Sequence, residues 1–113
     1  MNSFQPFDIS FSILPICFTP HEEIILRNLS SMREAFFNQD AVENLLKSGK
    51  DPKIVEVFMA PIPSEKGNLM VNINIVYPGK IDNQYFMTKG HIHEDMDNSP
   101  EIYITFRGTG KLI

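Results

Sequence analysis

The chain has 113 residues, 42% of them apolar and 21% charged, a composition that suits one folded domain and excludes a disordered chain. Ten Lys and Arg against fourteen Asp and Glu leave a formal charge of −4, without the basic field that draws in nucleic-acid phosphates or anionic lipid. Cys17 is the sole cysteine, which rules out an internal disulfide and predicts a small buried apolar side chain in a reducing cytoplasm. No run of about eighteen apolar residues is present to span a membrane. Pro6, Asp8, Pro15 and Pro20 break up the N-terminal segment, so no signal peptide is expected there.

Phe7, Ile9, Phe11 and Ile13 alternate with Asp8, Ser10 and Ser12, the period of two that predicts a half-buried strand. Pro15 and Pro20 cannot donate to a ladder, so its continuation is expected as an extended arm or edge segment. Ser31-Met32-Arg33-Glu34 has the spacing of a capping box ahead of a short helix through Ala35, Phe36 and Phe37, ended at Asn38. Asp40 is the predicted cap of a second helix through Val42, Leu45 and Leu46, closed by Gly49.

From Lys53 the pattern is β. Lys53 to Ala60 is rich in Ile, Val and Phe, and Pro61 to Asn68 is a turn region. Leu69 to Tyr77 alternates, with Asn72 and Asn74 on the face opposite Ile73 and Ile75. Two readings of those asparagines stand side by side: the wet face of an antiparallel sheet, or a polar barrel interior lined for a ligand. Gln84 to Thr88 and Glu101 to Phe106 read as further strands, with a hairpin turn at Arg107 to Gly110. Short strands joined by Gly and Pro turns, with few helices, predict an antiparallel sandwich or jelly roll.

The chemistry concentrates at Thr88-Lys89-Gly90-His91-Ile92-His93, followed by Glu101. Two histidines at i and i+2 on a strand point to one side, and a carboxylate from a neighbouring strand can complete a facial metal site. Two solvated histidines near a turn would also satisfy the bare spacing. His21 and the acidic loop residues Asp95 and Asp97 read as solvated surface, and Glu94 points away from His93.

His91-x-His93, Glu101, six residues and then Gly108 resembles the first motif of the cupin superfamily. Tyr77-Pro78-Gly79-Lys80, Phe86-Met87-Thr88-Lys89-Gly90-His91-Ile92-His93 and Glu101-Ile102-Tyr103 narrow the resemblance to the archaeal-type, cupin glucose-6-phosphate isomerases, from about Arg27 to the end of the chain. Leu29-Ser30-Ser31-Met32 with Phe36 or Phe37 is similar to that family's region ahead of the barrel.

The resemblance implies a mainly β cupin jelly-roll barrel. It implies one divalent metal ion, iron or else manganese, zinc or nickel, held by His91, His93 and Glu101, with a fourth histidine from a second motif that this sequence does not contain. Thr88 and Gly90 match contacts to the substrate phosphate, and Tyr103 a tyrosine near the substrate. Asn74 and Val55 stand where the family carries a hydroxyl and a tyrosine; Asn74 can donate a hydrogen bond and Val55 cannot.

The implied reaction is the interconversion of glucose 6-phosphate and fructose 6-phosphate, moving hydrogen between C1 and C2, with Glu101 as the candidate base or as ligand only. Residues 1–52 are expected as a strand arm with short helices, and 53–113 as the first part of the barrel, so the chain reads as incomplete. Expected partners are a sugar phosphate and a second copy in a homodimer, without nucleic acid or membrane. The alternatives are a non-catalytic sugar-phosphate or metal-binding cupin, a non-haem iron oxygenase, and an open barrel that pairs its strands with another copy.

Overall fold

The computed structural model describes residues 9–19, 23–63, 65, 67–89 and 101–111. β1 (Ser10–Ile13) and β2 (Ile16–Thr19) pair antiparallel, Ser10 opposite Thr19 and Ile13 opposite Ile16, with Leu14 and a cis Pro15 between them. The alternating segment therefore does form a strand, and its continuation is the edge strand β2, turned back at Pro15 and not extended as an arm. A proline in a tight turn owes no N–H to a ladder, so the turn accepts it where a central strand would not. Phe11, Ile13, Ile16 and Phe18 share one face of this hairpin; Phe18 is buried while Phe11 and Ile13 stay exposed. Phe7 lies outside the described residues. Cys17 is a free thiol, half-buried where a buried side chain was expected.

β3 (Glu23–Asn28), β4 (Lys53–Met59) and β5 (Asn72–Val76) form an antiparallel sheet in that order, so the sheet runs across positions 52 and 53. Directly opposed residues share a face. Ile25, Arg27, Val55, Val57, Asn74 and Val76 look one way, and Ile24, Leu26, Glu56, Phe58, Ile73 and Ile75 the other. On the second face Phe58 and Ala60 are buried with Phe18 of the hairpin, edged by Ile9, Ile16, Ile62, Ile73 and Ile75. At the end of the sheet Ile54 and Val55 join Leu29, Met32, Phe36, Val42 and Ile81 in a second cluster. Each fully buried Leu, Ile or Val there stabilises the fold by roughly 1.5–3 kcal/mol.

The segment between β3 and β4 departs from the expected helices. Leu29–Ser31 and Arg33–Ala35 are single 3₁₀ turns, and the Ser31 hydroxyl donates back to the Asn28 carbonyl (2.8 Å) where a capping box would have it accept from Glu34. Leu29, Met32 and Phe36 are pulled into the core cluster at spacings of three and four, a demand that two tight turns meet as well as one helix. α1 (Gln39–Lys47) follows, and its cap is Asn38, whose Oδ1 accepts from the Ala41 N–H (2.9 Å); Asp40 sits in the first turn. Gly49, at φ +84°, closes the helix as expected.

β6 (Lys80–Ile81) and β7 (Gln84–Tyr85) form a hairpin about Asp82 and Asn83, so the strand read over Gln84 to Thr88 is paired only at its start. Residues 101–111 carry no strand, against the expected strand from Glu101 to Phe106. Alternation supplies a pleat, but a ladder needs a neighbour, and no described strand pairs with this segment. Its recorded ring contact is Phe106 against Phe11, centroids 5.9 Å apart. The described architecture is thus mainly β, with antiparallel sheets and one α-helix.

Candidate functional site

Asn74 lies on β5 opposite Val57, exposed, on the face that also carries Arg27 and Val55. Val55, on the same face, is buried, 2% exposed, within the terminal cluster. Thr88 is exposed in the irregular stretch after β7. Gly90, His91 and His93 lie outside the described residues, as do His21, Glu94, Asp95 and Asp97. Among the described residues no three His, Cys, Asp or Glu side chains converge as a metal group; of the three expected donors only Glu101 is among them.

Glu101 and Tyr103 are brought together. The Tyr103 hydroxyl donates to Glu101 Oε1 at 2.9 Å, and both residues are exposed. That hydrogen bond, then desolvation and the carboxylate charge, raise the Tyr103 phenol above its ordinary value, so it stays a donor through neutral pH. A hydroxyl on one oxygen of a carboxylate is the arrangement that orients ligating carboxylates in metal sites.

Three contacts around the motif do not follow from the sequence pattern. Gln84 ties the β7 strand to the 3₁₀ segment: its Oε1 accepts from the Phe37 N–H and its Nε2 donates to the Ala35 carbonyl, both at 2.8 Å. Phe86, two residues before Thr88, lies on Gly79 and meets Phe36 edge-on with centroids 6.2 Å apart. Tyr77 donates to Glu56 Oε2 at 2.6 Å on the opposite sheet face, a bond that raises the Tyr77 phenol. The Asp82-Asn83 pair is a turn signal that would have revealed the β6–β7 hairpin; nothing local marks the contacts of Gln84 or Phe86. An open depression of about 230 Å³ over Phe37, Asn38, Ile81, Asp82, Asn83 and Gln84 contains none of the expected site residues.

An antiparallel β scaffold that carries the motif run from Tyr77 to Tyr103 is the class the fold and sequence define together. The glucose-6-phosphate isomerase family model matches residues 28–113, and the chain belongs to that family. It is 34% identical over 88 residues to the glucose-6-phosphate isomerase of Thermococcus litoralis, covering 78% of this chain and 45% of that protein. The same-named protein of Thermococcus gammatolerans is 36% identical over 94 residues, 83% of this chain and 48% of the relative. That of Pyrococcus abyssi is 34% identical over 94 residues, 83% and 49%. The chain thus spans about half the length of the curated relatives it matches. No helix among the described residues is long and apolar enough to cross a membrane.

Proposed function

We propose that this chain is part of a metal-dependent isomerase that interconverts glucose 6-phosphate and fructose 6-phosphate within a cupin barrel. The observation that carries the reading is the family match over residues 28–113, which takes in every expected site residue. His91, His93 and Glu101 would hold the ion; two imidazoles and a carboxylate suit iron, manganese, zinc or nickel. Such an ion supplies electrophilic stabilisation of charge on the sugar oxygens. Tyr103 orients the Glu101 carboxylate and keeps its own proton. Thr88 donates its hydroxyl, and Gly90 its N–H, to the substrate phosphate. Asn74 offers an amide donor from the sheet face.

A homodimer in the cytoplasm belongs to the same proposal: β5 has no further strand beside it among the described residues, and such an edge accepts a second copy. The test is metal and substrate together. Equilibrium dialysis of the 113-residue chain against Mn²⁺ is expected to give one ion per chain. His91→Ala should weaken that binding at least about tenfold. Fructose 6-phosphate should be bound and slowly converted, in a coupled assay, only when the ion is loaded. Metal binding indifferent to His91→Ala, or conversion by the metal-stripped chain, would overturn the proposal. Binding of fructose 6-phosphate without conversion would replace it by the non-catalytic sugar-phosphate cupin.

A further inference from the structure

Arg27 is the last regular residue of β3 before the ladder shifts register between Arg27 and Asn28. It lies directly opposite Val55 and so projects from the face that carries Asn74. The side chain is half-buried, and among the described residues no hydrogen bond or ion pair is recorded for its guanidinium. Holding a cation partly out of water without a counter-charge is unfavourable, and an arginine in that position is suited to receive an anion. The other nearby cation, Lys53, is directed elsewhere, its Nζ lying 6.0 Å from the centre of the Tyr77 ring. Across β4, the separation from β3 to β5 is two strand spacings, about 10 Å, most of which an extended arginine covers. Val55 and Val57 lie between, Val55 buried in the terminal cluster and Val57 packed against it.

We infer that Arg27 is a phosphate-recognising residue of this site, its guanidinium pairing with the phosphate monoester dianion of the sugar beside the Asn74 amide. The inference rests on the sugar-phosphate reading above and adds to it a full positive charge on that face. A planar fork of N–H donors matches two phosphate oxygens at once and discriminates the phosphorylated sugar from the free one.

The test uses the full chain and three probes: fructose 6-phosphate, inorganic phosphate and uncharged fructose, each titrated by calorimetry. Arg27→Met keeps the aliphatic stem on Val55 and removes the charge; Arg27→Lys keeps the charge and removes the fork. Arg27→Met is expected to weaken fructose 6-phosphate binding at least about tenfold, with Arg27→Lys between it and the parent, while fructose is unaffected. If Arg27→Met fails to fold, Arg27→Lys carries the comparison. Unchanged fructose 6-phosphate affinity in the folded variant, with or without a lower melting temperature, would overturn the role of Arg27 and leave its stem as mere cover for Val55. Inorganic phosphate bound as tightly as the sugar phosphate would overturn it as a substrate contact. Failure of the parent chain to bind any phosphate compound would instead overturn the sugar-phosphate reading itself.

Discussion

At the scale of single residues, one exposed bracket fixes the chain where β3 gives way to the 3₁₀ turns. Asp51 accepts from the Ser30 N–H at 2.8 Å through one oxygen and from the Ser30 hydroxyl at 2.6 Å through the other. Those bonds, side chain first, hold the Asp51 carboxyl below its ordinary value of 3.8. A depressed carboxylate stabilises the fold above its unfolded value and loses that contribution as pH falls through the folded one. Asp51→Ala should therefore cost about 0.5–1 kcal/mol at neutral pH, modest because solvent competes at an exposed site. The difference between variant and parent should fade as pH is lowered beyond 3.8. Urea midpoints of both proteins across that range measure it, and a pH-independent difference would assign the loss to packing.

At the scale of elements, the decisive contacts join segments far apart in sequence. An added Cβ at Gly79 would lie 2.5 Å from Phe86 Cε2 and 2.7 Å from its Cζ, and Phe86 is backed by Phe36. The Phe86 N–H also donates to the Gly79 carbonyl at 3.0 Å, so the Pro78-Gly79 turn and the run into Thr88 form one unit. Gly79→Ala should cost about 1–3 kcal/mol by overpacking. Phe86→Leu in the same chain should recover part of that, giving a coupling of at least about 0.5 kcal/mol in a double-mutant cycle of urea midpoints. Simple additivity would mean that the ring is not what excludes the methyl. This is also where reading the sequence falls short. The strands at Lys53 and Asn72 were legible because their apolar period is local. Ser31 and Asp40 carried the familiar cap pattern, yet Asn38 caps α1, because the path of the chain is set by burying Met32 and Phe36. Glu101 to Phe106 has the strand pattern and no partner strand among the described residues, which no local pattern could reveal. Of the residues proposed for the site, the Asn-bearing strand was legible; the place of Arg27 was not, since it comes from standing opposite Val55.

At the scale of the whole molecule, two apolar clusters meet at one strand. β4 sends Ile54 and Val55 into the cluster with Leu29 and Val42, while Phe58 continues to the one with Phe18. The first cluster is assembled from the 3₁₀ turns, α1, β4 and β6; the second depends on a four-residue-per-strand hairpin laid on the sheet. A hairpin alone is marginal in water, so its protection must come from that docking. Phe58→Ala, costing about 3–5 kcal/mol if the cavity stays open, should then release β1 and β2 first. Leu29→Ala, costing about 2–5 kcal/mol, should instead remove most of a global stability that for such domains is only about 5–15 kcal/mol. Native-state hydrogen exchange separates the two cases. In Phe58→Ala the amides of β2 should lose protection while those of α1 keep theirs; in Leu29→Ala both should fall together. An equal loss at α1 and β2 in Phe58→Ala would show that β4 couples the clusters into one cooperative unit, and that the face bearing Arg27 and Asn74 cannot be disturbed from the hairpin side without unfolding the whole sheet.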